Sequence, residues 1–339
     1  MKSMLSPPRM LSSHIVAAVA ALSLAGCASG SVALVPHAAI MSKSSAPGHR
    51  GDDADLVRRK ICVANSSANS ITEYRRAANG NVAPRQDIVG PATGLSSPSY
   101  VALDSAGHVF VTNTSADSVT EYAAGASGNS PPIAAIIGGI TQLSSPQGIA
   151  LDTAGRVYVA NGGSTPYVTV YKAGANGGVA PSQTIYDSTG FLSVAGLAVH
   201  GSVIYVANTD FNFNIQVSEY PTTANGIVTA IAQIGGLSAP LGVAVEGNGK
   251  IVVADGDAIK VFAANANGNP TPLQTIQGGN TLLDQPAGVA VGASGIFVAD
   301  GDTPAVTSYH VTANGNTPPS TDVTGAKTKL AAPIGIAVR

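Results

Sequence analysis

The sequence predicts an all-β fold, a six-bladed β-propeller of four-stranded antiparallel blades, on three observations. A β-rich triplet ending in Asn or Asp recurs six times at spacings of 45 to 48 residues. An apolar strand pattern with small residues at alternate positions precedes five of the six copies. The pattern missing before the first copy stands instead near residue 339.

Each repeat opens with the inner strand, read as YVALD, GIALD, GLAVH, GVAVE and GVAVG, usually introduced by a proline (Pro98, Pro146, Pro240, Pro286). The triplets form the second strand: Val63-Ala64-Asn65, Val111-Thr112-Asn113, Val159-Ala160-Asn161, Val206-Ala207-Asn208, Val253-Ala254-Asp255 and Val298-Ala299-Asp300. A third strand follows as ITEY, VTEY, VTVY, VSEY, IKVF and VTSY. Asn-Gly or Ser-Gly pairs such as Asn79-Gly80, Ser127-Gly128 and Asn267-Gly268 predict a turn into a weaker fourth strand (QDIV, IAAII, QTIY, QTIQ). Four short strands per repeat of this size is the pattern of a propeller blade. One such sheet cannot bury both faces, so stacked neighbours are required.

Pro333-Ile334-Gly335-Ile336-Ala337-Val338-Arg339 matches the inner strand that the first repeat lacks. It is expected to join the first blade, closing the ring and removing an open sheet edge. Residues 60–339 then make six blades of about 47 residues each, within the repeat lengths known for propellers. Cys62 aligns with Phe110, Tyr158, Tyr205, Val252 and Phe297 and is expected to be a small core hydrophobe.

The N-terminal stretch has a different logic. Lys2 and Arg9 precede the apolar run Met10–Leu24, which ends in Leu24-Ala25-Gly26-Cys27. A basic start, a short apolar core and small residues at a cleavage point are the layout of an export signal. The run is shorter than the roughly 20 residues that span a bilayer. It resembles the bacterial lipoprotein signal, whose final cysteine is acylated and becomes the first mature residue. That resemblance makes 1–26 the signal peptide and Cys27 the lipid attachment site. It places the protein in the cell envelope, bound to the membrane through lipid. Ala28 resembles the pattern sorted to the outer membrane in a double-membrane bacterium. Residues 27–59, rich in Ala, Ser, Gly and Pro, read as a flexible tether carrying His37 and His49.

Charged residues make up 11% of the chain, against about 25% on average. The formal net charge of −2 gives no footprint for nucleic acid. Of the two cysteines, an acylated Cys27 cannot pair with Cys62, so no disulfide is expected.

The repeat resembles the NHL-repeat six-bladed propellers, a superfamily that includes the gluconolactonase-like propellers. The resemblance covers essentially the whole chain after the tether. It implies fold strongly and function weakly, because one propeller scaffold hosts many activities.

The triplet ends should ring one face, where Asn and Asp start loops by bonding their own backbone. Asp255-Gly256-Asp257 and Asp300-Gly301-Asp302 add four carboxylates to this rim, the donor type that Ca²⁺ takes in sets of six to eight. With strands about 4.8 Å apart, second strands of adjacent blades stand about 12 Å apart, too far to share one ion. No metal or cofactor is therefore assigned. Tyr100 interrupts a column otherwise held by Gly148, Gly196, Gly242, Gly288 and Gly335, so it is expected to plug the channel mouth or line a pocket. Phe211 and Phe213, in Thr209-Asp210-Phe211-Asn212-Phe213-Asn214, are candidates for a contact surface.

His108 and His200 fall by turns on the opposite face and His310 ends a third strand, so no convergent histidine site is expected. These features point first to a non-catalytic binding or scaffolding module for an unidentified protein or glycan. The alternative, implied by the resemblance, is a metal-dependent lactonase or lyase. Its channel carboxylates have no counterpart at the rim end of these inner strands, because Asp104, Asp152 and Glu246 lie at the opposite end.

Overall fold

The computed structural model describes Arg59–Arg339 except Ser294. The signal, Cys27 and the tether up to residue 58 lie outside the described residues. Six antiparallel sheets stand around one axis. Blade 1 runs, from the axis outward, Pro333–Val338, Lys60–Asn65, Ser70–Arg75, Gln86–Val89. The closing strand pairs Val338 with Ile61 and Ile336 with Val63, as the sequence predicts. Blades 2, 3, 5 and 6 begin at Pro98–Leu103, Pro146–Leu151, Pro240–Val245 and Pro286–Gly292, and blade 4 at Phe191–His200. These inner strands pack side by side around the ring, with Pro333–Val338 between those of blades 6 and 2.

Proline and glycine set the inner strands. Proline has no N–H for the ladder, so it begins a strand rather than continuing one. The register then slips, as between the pairs Pro98–Asn113 and Val101–Val111. The glycine inside the slip is there for space. A Cβ on Gly196 would lie 2.4 Å from Leu241 O, and one on Gly148 2.5 Å from Ala195 O, both impossible contacts with the next inner strand. Blade 4 has Val194 where its neighbours have proline, and its inner strand starts three residues earlier, at Phe191. Its second strand lengthens to match, with Phe191 opposite Asp210.

Buried tyrosines tie each blade to the loop that leads into it. Tyr122 donates to Thr93 O at 2.6 Å, Tyr309 to Thr281 O at 2.6 Å, and Tyr74 to Thr328 O. Each ring fills core volume while its hydroxyl satisfies a loop carbonyl. Blade 5 has Phe262 in this column, and its lead-in between Ile234 and Pro240 is shorter than those of blades 1, 2, 3 and 6.

The Asn-Gly pairs do not make hairpin turns into a fourth strand of their own blade. They reach the outer strand of the preceding blade. Asn267 Oδ1 accepts from Gln233 N at 3.0 Å and Gly268 N donates to Gln233 O at 2.7 Å. Asn314-Gly315 does the same at Thr275, and Asn79-Gly80 at Asp322. The positive φ of glycine lets the backbone turn onto the neighbour; Gly268 stands at +76°. In blade 3 this contact grows into a fifth strand, Gly226–Val228, parallel to Gln183–Asp187.

Between blades, apolar side chains interleave. Cys62 packs with Ile71, Ile88, Val101, Val111 and Tyr122 across the junction of blades 1 and 2. Burial pushes its thiol up to about 12, which keeps it protonated and unreactive at neutral pH.

Candidate functional site

The Asn/Asp column does not ring the surface. Asn65, Asn113, Asn161, Asn208, Asp255 and Asp300 are all buried. The asparagines bond the backbone carbonyl two residues back, and the column also bonds across the blade. Asn113 Oδ1 accepts from Ser96 N at 3.1 Å, in the loop leading into its own blade. Its Nδ2 donates to Thr120 Oγ1 at 3.0 Å on the third strand. Asn161 repeats this with Ser144 and Thr169, and Asn65 with Ala331 and Thr72. The sequence shows the column but not these partners: Ser96 and Ser144 lie 17 residues upstream and Ala331 at the other end of the ring, and they meet it only once the blade has folded.

In blades 5 and 6 the carboxylate takes over the accepting role. Asp255 Oδ1 accepts from Ser238 N and Ala239 N, both at 2.7 Å. Lys260 stands where the other blades have Thr or Ser, and its Nζ is 2.6 Å from Asp255 Oδ2. Asp300 accepts from Asp284 N at 2.6 Å, but Thr307 faces it across the ladder and neither Asp300 Oδ1 nor Thr307 Oγ1 finds a partner. Burial, with Asp284 and Asp302 nearby, pushes the Asp300 carboxyl up to about 7. Asp257 and Asp302 lie exposed on the turns beyond. The four carboxylates are not brought together.

Tyr100 crosses the channel. Its hydroxyl donates within reach of two carbonyls on the far side, Leu241 O at 3.0 Å and Ala287 O at 3.1 Å, in blades 5 and 6. A second residue makes room for it. Thr112 replaces the alanine of the other triplets, accepts from Tyr100 N at 3.0 Å and donates to Gln147 O at 2.6 Å. The residues just before Tyr100 and the column glycines are Ser99, Gln147, Ala195, Leu241, Ala287 and Ile334, none of them a carboxylate or histidine.

Phe211 and Phe213 ride on the lengthened hairpin of blade 4. Asp210 holds its tip, accepting from Asn212 N and Asn214 N at 2.9 Å, which keeps its carboxyl below the ordinary range against the effect of burial. Phe211 is 58% exposed and Phe213 76%. The two diverge. Phe211 borders a cleft of about 480 Å³ with Pro166, Tyr186, Phe191 and Ile227, between blades 3 and 4. Phe213 borders one of about 470 Å³ on the side of blade 5. With Ile227 at 79% and Leu192 at 44% exposure, this rim carries a concentration of apolar surface.

Two clusters escaped the sequence reading because strand register, not sequence pattern, brings their members together. Arg59, Arg75, Arg76 and Arg85 line a cleft of about 410 Å³ floored by Phe297, with Arg76 stacked 5.9 Å over that ring. Burial and the charge of Arg59 lower the Arg76 guanidinium from its usual range. On the face of the inner turns, His108 Nδ1 lies 3.1 Å from Asp104 Oδ2 and 3.1 Å from Glu121 Oε1. The histidines do not converge on one another, but the ladder register brings Glu121, on the third strand, beside the turn that holds Asp104 and His108.

No protein-family model matches the sequence, and no curated protein matches it. The fold does match solved structures. A chain in a crystal structure of a nidogen/laminin complex superposes with a TM-score of 0.62 at 16% identity, covering 82% of this chain and 97% of that one. A Bacteroides caccae protein of unknown function gives 0.62 at 12% identity, covering 83% and 98%. The WD40 β-propeller domain of Doa1 gives 0.55 at 13% identity, covering 79% and 80%. These likenesses are likenesses of fold, and the chain from Arg59 onward is a six-bladed β-propeller.

Proposed function

We propose that the protein is an envelope lipoprotein, acylated at Cys27, whose propeller is a non-catalytic module that binds a protein partner at the rim of blades 3 and 4. The carrying observation is the apolar surface around Phe211, Phe213, Ile227 and Leu192, raised above the ring by the lengthened strands of blade 4. Large apolar side chains exposed together on a charge-poor protein mark an interaction surface. The nidogen/laminin neighbour supports the reading as a propeller of the same shape found in a protein complex. The NHL-like repeat and the Leu24–Cys27 motif support the architecture and the anchor.

The lactonase alternative is weakened by the channel. Tyr100 bridges its walls, bonding carbonyls of blades 5 and 6 from blade 2.

A photoreactive phenylalanine at position 213, compared with one at Ala154 on the opposite face, tests the surface in cells. A discrete protein adduct is expected at 213 only, and Ile227→Asp should abolish it. No adduct, or the same adducts at both positions, would overturn the assignment. Labelled palmitate should enter the parent protein and not Cys27→Ala.

A further inference from the structure

We propose that Asp104, His108 and Glu121 form a binding site for one divalent ion of the Zn²⁺ class on the face opposite the apolar rim. One imidazole nitrogen and two carboxylate oxygens are a donor set that such ions take. Their three donor atoms lie within 4.8 Å of one another, and all three side chains are partly buried. The two edges from His108 Nδ1 are both 3.1 Å. Donors placed about 2.1 Å from a tetrahedral or octahedral ion sit about 3.0 to 3.4 Å apart, so little movement is needed.

The other blades sharpen the contrast. Lys60 begins the second strand of blade 1, and His108 and Arg156 hold the matching positions just before Val109 and Val157 in blades 2 and 3. Lys60 pairs with Glu73 at 2.9 Å and Arg156 with Asp152 at 2.6 Å, so each carboxylate there meets a permanent cation. Blade 2 has two carboxylates and an imidazole instead. A bound dication supplies the charge that lysine and arginine supply next door.

The site is also held in shape. Asp104 Oδ1 accepts from Gly107 N at 2.7 Å and His108 N at 2.8 Å, which aims Oδ2 at the imidazole. Lys60 donates to Gly107 O at 3.2 Å and Arg339 to Ser105 O. The metal turn is thus bonded to both strands of the closing seam. An ion there would stiffen that seam and leave further coordination positions toward solvent.

The test is calorimetric titration of Zn²⁺ into the purified full chain after treatment with EDTA, with thermal melts alongside. One equivalent should bind and raise the melting temperature. Affinity should fall at least about tenfold in both His108→Gln and Glu121→Gln, which remove one donor each, and stay unchanged in His310→Gln. Both substitutions keep a polar side chain at a partly exposed position, and a melt without metal verifies folding. No stoichiometric binding, or equal binding in folded His108→Gln and Glu121→Gln proteins, would overturn the proposal.

Discussion

Blades 1 to 3 and blades 5 to 6 solve one problem with different chemistry. Each must tie its lead-in loop to the second strand inside the core. The asparagines of blades 1 to 3 do so without charge, accepting a loop amide and donating to a threonine. The aspartates of blades 5 and 6 accept more strongly but lose the donor and bring in a charge. Blade 5 compensates with Lys260. Blade 6 does not, and its carboxyl drifts toward the neutral form. A buried acceptor is interchangeable only if its other half is rebuilt as well.

The largest effect should come from Lys260→Ala. It strands a buried carboxylate and should lower stability by about 3 kcal/mol, read from urea unfolding midpoints. Asn161→Ala should cost about 2 kcal/mol by the same measurement, because Ser144 N and Thr169 Oγ1 both lose partners. Asn208→Ala should cost less, about 1 kcal/mol. In blade 4 the lead-in is a strand, and Asn208 Oδ1 has no partner among the described residues.

The smallest and opposite effect belongs to Asp300→Asn, a gain of about 1 kcal/mol above pH 7 from restoring the donor toward Thr307. In the folded protein Asp300 titrates near 7, and in the unfolded chain near 3.9. The unfolded chain therefore releases its proton first, and the stability contributed by Asp300 falls as pH rises from about 4 to 7. The advantage of the asparagine variant should shrink at pH 5. An advantage that is equal at pH 5 and pH 8 would show that Asp300 is charged throughout.

The ring, its closure and the glycine column were legible in the sequence because they repeat. A period of 45 to 48 residues carries strand order, and Pro333–Val338 could be matched to the gap in the first repeat. What repeats weakly was misread or missed. Asn-Gly looks like a hairpin turn in one repeat, and only the neighbouring blade shows that it is a clasp. Tyr100 stood out as an exception, while its partner Thr112 was visible only as VTN among VAN and VAD triplets. His108 looked isolated because Glu121 reaches it through ladder register rather than proximity in sequence.

The Asn-Gly clasps have a consequence for how partners can approach. Outer strands usually offer free N–H and C=O groups on which another chain can add a strand. Here Ile88, Ile136, Ile234 and Ile276 are each bridged by a glycine of the following blade, and the outer strand of blade 3 is paired along Gly226–Val228. The circumference is thereby closed to β-augmentation. At these clasped edges side chains rather than backbone decide what binds.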